Sequence, residues 1–200
     1  MPAKTTVKKA SLPAVSPKDR VIDTALALAG KMGWDLVTLA DIASDASVTL
    51  AELSEHFDDK TDILIAYGRR LDRQMLDAAG TPDVSSSERE RLFDVIMERF
   101  DLIGRDRGAV TSILKSFGSD PKQALISLPH LGRSMNWTLE AAGIETSGIK
   151  GAVRLAGVVT IYMLVLREWM QDESPDLSRT MAALDRQLDR AEKLAGTFML

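Results

Sequence analysis

The chain has 200 residues, 45% of them hydrophobic and 27% charged, and a formal net charge of −4 at pH 7. This hydrophobic content is sufficient for the cores of one or two small domains. The absence of cysteine excludes disulfide bonds and thiolate chemistry. The net charge shows no overall basic signature, but a local basic patch would still suffice for binding DNA.

The pattern of apolar residues predicts an all-α protein, and the lack of long apolar stretches favours a protein of the cytoplasm. Apolar side chains recur at intervals of three and four residues, and alternating runs rich in valine and isoleucine are absent. No run of about 18 uncharged apolar residues is present, so a membrane span is not expected. The polar N-terminus lacks the apolar stretch of a secretory signal, which favours a cytoplasmic protein.

Residues 1–16 form a polar segment that carries three lysines and no acidic residue, namely Lys4, Lys8 and Lys9. We predict a disordered basic tail, with the alternative that it is an arm reaching a phosphate backbone. The first helix is predicted to begin at Ser16-Pro17, because serine is a favoured N-cap and proline a favoured first residue. Gly33 is predicted to end this helix, with Trp34 packed over its end.

Three more helices are predicted within residues 17–79. Thr38 is expected to cap the second helix, with Asp41 three positions on as an acidic form of the capping box. Thr49 is expected to cap the third helix in the same way. Residues 60–79 then have the periodicity of a long amphipathic helix that connects this three-helix domain to the rest of the chain.

The segment GTPDVSSS is rich in turn-forming residues and is predicted to be a linker at a domain boundary. It separates residues 17–79 from residues 80–200, which we predict to form a second helical domain. Asp120 is expected to cap one helix of this domain, and Pro129 is expected to kink it. The five helices predicted there cover residues 88–105, 108–117, 121–142, 146–171 and 176–194.

The stretch from Thr38 to Tyr67 has the hydrophobic spacing of a helix-turn-helix, whose second helix presents its first residues to the major groove. The same stretch contains seven acidic residues and a single lysine, although DNA affinity depends largely on lysine and arginine. A packed helical corner without a nucleic-acid role is therefore the alternative interpretation. The candidate readers of DNA are Thr49, Leu50, Ala51, Ser54, Glu55 and His56.

Residues 17–76 resemble the N-terminal domain of the TetR family of bacterial regulators. The resemblance rests on Val48-Thr49, Leu53 and the ending His56-Phe57-Asp58-Asp59-Lys60. Two positions depart from the family's pattern, since Ser47 replaces the usual glycine of the turn and Ser54 replaces a tyrosine that contacts a phosphate. The resemblance implies phosphate contacts from Thr49 and Lys60. The further DNA contacts expected on this basis are Lys18, Arg20, Thr38, Leu50, Ser54 and His56.

A second resemblance concerns the segment from Trp169 to Asp176, WMQDESPD, and the Thr180 that follows it. By its residues alone, the segment is a helix stop, a capping turn and a helix restart, in which Asp172 or Ser174 caps backbone groups. It resembles the C-terminal part of the TetR-fold lipid-binding accessory proteins of coenzyme Q biosynthesis, and also a segment of some bacterial TetR-type proteins. The first of these resemblances implies an isoprenoid-lipid binder without DNA-reading activity.

The apolar residues of the second half include methionines and aromatic residues, which make adaptable walls for an apolar ligand. Trp137 and Trp169 are the strongest candidates, because each offers an indole N–H in an apolar neighbourhood. The alternative is that these residues fill an ordinary core. The candidate ligand-binding residues are Phe93, Met97, Phe100, Phe117, Met135, Trp137, Tyr162 and Trp169, and the same apolar set also contains Leu131, Leu139 and Met163.

The predicted fold is all-α, with an N-terminal helix-turn-helix domain and a C-terminal helical domain for ligand binding and dimerisation. The last two helices are expected to pair with those of a second copy as a four-helix bundle. The TetR resemblance implies a regulator that a small apolar effector releases from a palindromic operator in double-stranded DNA. The alternative function is a TetR-fold lipid- or isoprenoid-binding protein without DNA-binding activity. No catalytic motif, metal-binding spacing or cofactor fingerprint is present, so neither an enzyme nor a cofactor is expected.

Overall fold

A computed structural model describes residues 16–119 and 121–198 and confirms the all-α class. The lysines of the N-terminal tail and the predicted cap Asp120 lie outside the described residues. Within the described part, the helices are α1 (Pro17–Met32), a 3-10 helix (Trp34–Leu36), α2 (Leu39–Asp45), α3 (Leu50–Ser54), α4 (Lys60–Ala79), α5 (Glu88–Gly104), α6 (Arg107–Ser119), α7 (Pro121–Ala141), α8 (Gly148–Trp169) and α9 (Ser178–Phe198).

α1 begins and ends, and α2 and α3 begin, at the residues that the capping pattern predicts. Ser16 caps α1, and Gly33 follows it with a φ of +93°, a region that favours glycine. Thr38 and Thr49 each form a complete capping box with the acidic residue three positions on. The acidic side chain accepts a hydrogen bond from the backbone N–H of the threonine, at 3.0 Å for Thr38 and 2.7 Å for Thr49.

The turn between α2 and α3 is closed by a hydrogen bond of 3.0 Å from the backbone N–H of Val48 to the carbonyl oxygen of Ala43. Ser47 has a φ of +54° there, in the left-handed region. A residue with a Cβ is strained in that region by about 1 kcal/mol, whereas glycine is not. The turn therefore uses a backbone conformation that suits glycine, although a serine occupies the position.

The N-terminal domain packs against the second half of the chain through the helices that flank the helix-turn-helix. α1 contacts α6, and α4 contacts α5 and α7. The α1–α6 contact is close at Gly30, where an added Cβ would lie 3.5 Å from the backbone nitrogen of Ala109. The backbone N–H of Trp34 donates a hydrogen bond of 2.8 Å to Oγ of Ser112 on α6. The helix-turn-helix is thus connected to the second half through α1, the 3-10 helix and α4.

The turn between α8 and α9 is organised around the buried carboxylate of Asp172, as its predicted capping role requires. This carboxylate accepts hydrogen bonds from the backbone N–H and hydroxyl of Thr180, both at 2.7 Å, and from the backbone N–H of Ser174 at 3.0 Å. The Ser174 hydroxyl also donates to it. Leu177 has a φ of +53°, so α9 begins at Ser178, two residues after the predicted start.

α8 and α9 lie side by side, and α8 is the most apolar helix of the chain's described part. By length and composition alone, α8 could cross a membrane, since an 18-residue window has a mean hydropathy of 1.8. Of that window, 33% is buried within the chain. One face of α8 is therefore buried, whereas apolar side chains on its other face, among them Ile149 and Val153, are exposed in the chain.

Candidate DNA-binding surface and ligand cavity

The exposed residues of α3 form the centre of the predicted DNA-binding surface. Leu53 is the buried residue of this five-residue helix and anchors it to the core. Leu50 is 55% exposed, and Thr49, Ser54 and His56 are exposed as well. Four of the predicted DNA contacts thus lie on one short helix and its immediate ends.

The beginning of α1 lies beside α3. The ammonium group of Lys18 is 5.8 Å from the ring centroid of Phe57, which follows α3. The pKa of Glu52 on α3 is lowered mainly by hydrogen bonds from Thr49, and the nearby charge of Arg20 adds to this effect. Lys18 and Arg20 are both exposed. Two basic side chains therefore flank the helix, at a position suited to contacts with phosphates.

Helix capping accounts for four of the acidic residues that make this region negative. Asp41 and Glu52 complete capping boxes, and hydrogen bonds from their capping threonines lower the pKa of both carboxyl groups. Asp59 accepts a hydrogen bond of 3.0 Å from the N–H of Asp62, whose own carboxylate accepts one from Asp58. Negative charge in a first turn also interacts favourably with the helix dipole. Much of the acid excess thus has a structural role.

Lys60, a predicted phosphate contact, directs its ammonium group toward the protein. Its Nζ donates hydrogen bonds to the carbonyl oxygens of Trp34 at 2.8 Å and Val37 at 2.6 Å. The same group lies 4.5 Å from the centroid of the Trp34 ring. Burial lowers the pKa of Lys60, and the charge of Asp35 opposes that shift. Since an ammonium group has three donors, one is left for a phosphate.

The hydroxyl groups of the other predicted contacts already donate hydrogen bonds within the chain. Thr38 donates to Asp41 at 2.6 Å and Thr49 to Glu52 at 2.9 Å. Ser54 donates to the carbonyl oxygen of Ala51 at 2.7 Å. A phosphate oxygen is an acceptor, so these hydroxyl groups must rotate before they can donate to DNA. Their roles in DNA binding remain predictions.

Two adjoining cavities lie in the second half of the chain, next to α4. The polar chamber has a volume of about 190 Å³ and is lined by ionisable residues together with apolar ones. The apolar chamber has a volume of about 430 Å³, and its lining is almost entirely apolar. The two chambers adjoin because they share lining residues on α4, α6 and α7, among them Tyr67, Leu114, Phe117 and Leu131.

A buried ion pair forms one wall of the polar chamber. Arg99 is 4% exposed, and its Nη1 donates a hydrogen bond of 2.6 Å to the carboxylate of Asp72. The hydroxyl of Ser134 donates to the same carboxylate. Burial acts to lower the pKa of Arg99, but Tyr162 and Asp72 outweigh it and raise that pKa. Arg99 is therefore a permanent cation inside the protein.

Two of the predicted ligand-binding residues line these chambers. Phe117 lines both, and Tyr162 lines the apolar chamber, where its ring stacks on that of Phe100 at a centroid distance of 5.3 Å. Trp137 is 47% exposed, and Trp169 is fully buried under the guanidinium group of Arg107, 4.5 Å from its ring. The predicted residues that line neither chamber are Phe93, Met97, Phe100, Met135, Trp137 and Trp169.

The polar lining of the cavity was absent from the sequence-based prediction. Arg69, Asp72, Arg99 and His130 line the polar chamber, yet charged residues on helices are normally assigned to the solvent-facing side. One local signal was available. Arg99 directly precedes Phe100 and follows Ile96 by three positions, so it belongs to the apolar face of α5.

Comparison with known proteins relates both halves of the chain to bacterial regulators. The family described as bacterial regulatory proteins, tetR family, matches residues 21–67. The HTH-type transcriptional repressor KstR of Rhodococcus jostii (strain RHA1) is 23% identical over 159 residues, which are 78% of this chain and 74% of the repressor. The HTH-type transcriptional regulator BetI of Cronobacter sakazakii (strain ATCC BAA-894) is 30% identical over 117 residues, 57% of this chain and 55% of the regulator.

The solved structures include one that is similar over nearly the whole described chain. The crystal structure of the TetR transcriptional regulator from Nitrosomonas europaea ATCC 19718 has 26% sequence identity and a TM-score of 0.71. The similarity covers 89% of this chain and 99% of that one. It therefore includes the helices around the cavity as well as the helix-turn-helix.

Proposed function

We propose that this chain, a transcriptional regulator of TetR type, is released from a palindromic operator by a small apolar effector. The observation that carries this proposal is the position of α4. This helix begins at the helix-turn-helix, and its middle part forms a wall of both chambers. One rigid element therefore touches both sites, as coupling between an effector and DNA requires.

Side chains of α4 connect it to its neighbours on both sides. Arg70 forms an ion pair of 2.6 Å with Asp23 on α1, and Tyr67 donates a hydrogen bond of 3.0 Å to Asp106 just before α6. Tyr67 also lines both chambers. We propose that a ligand in the cavity displaces α4, and that α1 and α3 move with it. The spacing of two recognition helices in a dimer would then no longer match the operator.

A homodimer through α8 and α9 is supported by the uncovered face of α8. Apolar side chains recur along this face at helical spacing, and the four most exposed are Ile149 at 86%, Val153 at 67%, Leu164 at 47% and Met163 at 46%. Large apolar patches are rare on monomeric soluble proteins and mark interaction sites. A second copy of the same face would cover this stripe, and two-fold symmetry would pair the recognition helices on a palindrome.

The proposed interface predicts that Val153→Arg converts a dimer into a monomer, because each copy would place a charge within an apolar contact. The measurement is the mass in solution by light scattering, to be compared with the 21.8 kDa of one chain. Val84→Arg is the matched control, since Val84 is 90% exposed in the linker before α5. A variant Val153→Arg that keeps the mass of the unmodified protein would contradict this interface.

The DNA-binding proposal predicts recovery of one palindromic site from sheared genomic DNA, with an affinity that falls steeply with salt. Leu50→Glu is expected to lower the affinity for that site at least about 100-fold. The substitution would place a negative charge in the interface, where the negatively charged phosphates repel it. The fragments bound by the purified protein are sequenced across a salt series. Val84→Glu is the control for added charge. Absence of any bound fragment at low salt would refute the proposal.

The comparisons do not favour the lipid-binding alternative, since the relatives named above are described as transcriptional regulators. The same relatives support a regulator and not an enzyme. We propose that the protein is cytoplasmic, because the chromosomal DNA that a bacterial regulator binds lies in the cytoplasm. The resemblance of WMQDESPD to lipid-binding accessory proteins has a structural explanation, because Asp172 and Ser174 organise the turn between α8 and α9.

A further inference from the structure

We infer that the effector is an amphipathic carboxylate, with its anionic head group in the polar chamber and its apolar chain in the apolar chamber. This inference rests on the proposed function, because it names the chemical class of the effector for the same cavity. Three observations carry it: buried donors without partners, the balance of charge around the polar chamber, and the composition of the adjoining space.

Two residues that line the polar chamber each have a buried nitrogen atom without a hydrogen-bond partner in the described structure. They are Nε of Arg99 and Nδ1 of His130. A buried donor without a partner is unfavourable by about 1–3 kcal/mol, and by more when the group is charged. Such atoms are rare and call for a specific explanation. A carboxylate offers two oxygen atoms, which would satisfy both nitrogen atoms when His130 carries a proton on Nδ1.

The charges around the polar chamber favour an anion. Its lining contains the three arginines Arg69, Arg99 and Arg133, and a single acidic residue, Asp72. The carboxylate of Asp72 is already paired with Nη1 of Arg99 and with the Ser134 hydroxyl. Arg69 and Arg133 are exposed, so they lie at the solvent side of the chamber. An entering carboxylate would therefore meet two cations before it reaches the buried donors.

The apolar chamber suits the remainder of such a molecule. Leu71, Ile103, Leu128, Met163 and Leu166 contribute to its lining. Leu128 and Met163 are about half exposed, so the chamber opens to the surface beside the uncovered face of α8. A methylene group takes up about the volume of a water molecule in the liquid, about 30 Å³, so this chamber holds a chain on the order of a dozen carbons. Methionine and leucine walls adapt to the shape of a flexible chain. Phe117 and Tyr67 belong to both chambers, so one ligand could span them.

The test uses the full chain and straight-chain carboxylates of 6 to about 16 carbons, with their methyl esters as uncharged partners. Binding is measured by isothermal titration calorimetry. We expect one length near dodecanoate to bind best, and its methyl ester to bind at least about tenfold more weakly, because the ester has no charge for the arginines. Equal affinity for acid and ester, or no binding at any length, would overturn the inference.

Two variants separate the contributions of the head-group site. Arg69→Ala with Arg133→Ala removes the exposed cations, and Arg99→Lys keeps the charge beside Asp72 but removes the Nε donor. Each is expected to weaken binding of the carboxylate about tenfold and to leave the ester unchanged. Arg73→Ala is the matched control, because Arg73 is exposed on α4, the helix that carries Arg69, and does not line either chamber. Unchanged carboxylate affinity in both variants would also overturn the inference.

The same protein preparation is tested on genomic DNA, so that the two proposals fail separately. Operator binding without carboxylate binding would refute the effector class and leave the regulator in place. Carboxylate binding without DNA binding would support the head-group site and refute the regulator. The thermal melting curve of each variant shows whether a loss of affinity reflects unfolding.

Discussion

Asp72→Leu is expected to lower the free energy of unfolding by about 3–5 kcal/mol, because it leaves the guanidinium group of Arg99 buried without its counter-ion. The side chain of Arg99 is 5% exposed and that of Asp72 is 14% exposed, so water cannot replace the lost partner. The substitution also removes the acceptor of the Ser134 hydroxyl. The measurement is denaturant-induced unfolding of the variant and the unmodified protein in parallel.

Two further variants make this result specific to a buried charge. Asp23→Leu breaks the ion pair with Arg70, but the Asp23 side chain is 58% exposed, so a loss below about 1 kcal/mol is expected. Combining Asp72→Leu with Arg99→Met removes both charges and should restore much of the lost stability. The buried-pair explanation would be wrong if the double variant were as unstable as Asp72→Leu alone.

The second large effect concerns the turn between α8 and α9, where Asp172→Asn is expected to lower the free energy of unfolding by about 3 kcal/mol at neutral pH. The carboxylate accepts hydrogen bonds from the backbone and side chains of Ser174 and Thr180. An asparagine presents an NH2 group in place of one oxygen. That group is a donor and cannot accept the hydrogen bonds that Ser174 or Thr180 donates to the carboxylate. Glu173→Gln is the matched control, because Glu173 is exposed and adjacent.

The same carboxylate predicts a pH dependence with a definite sign. Burial acts to raise the pKa of Asp172, but the hydrogen bonds from Ser174 and Thr180 outweigh it and hold that pKa well below the usual 3.8. A lowered folded-state pKa stabilises the protein above the unfolded value, and this stabilisation is lost as the pH falls below it. The stability difference between the unmodified protein and Asp172→Asn should therefore shrink below about pH 4. A difference that is constant down to pH 2 would contradict this explanation.

Much of the N-terminal half follows from short-range signals in the sequence. The capping boxes of Thr38 and Thr49 and the end of α1 at Gly33 are present as predicted. Each involves residues no more than four positions apart, so neighbouring residues suffice to specify it. The start of α9 was placed two residues too early, because Leu177 has a left-handed backbone conformation and the helix begins after it.

The contacts that individual side chains make at the proposed DNA-binding surface were less predictable from the sequence. Lys60 stands where a phosphate contact is expected from the family resemblance, yet its ammonium group is bonded to the carbonyl oxygens of Trp34 and Val37. These residues precede it by more than twenty positions, so their proximity depends on the packing of α4 beneath the 3-10 helix. The same applies to Lys18 and Arg20, which lie near Phe57 and Glu52 only because of the tertiary packing of α1.

The sequence by itself determined the helical class, most helix ends and the helix-turn-helix, because periodicity and capping act within one or two turns. Only the tertiary structure decided which residues of the second half are buried, which are exposed and which line the cavity. Trp169 became a fully buried anchor and Trp137 a surface residue, while Arg99 and Asp72 formed a charged wall inside the protein. The physical reason is that helix periodicity shows which face is apolar, whereas a cavity exists only where the faces of several distant helices meet and fail to fill the space between them.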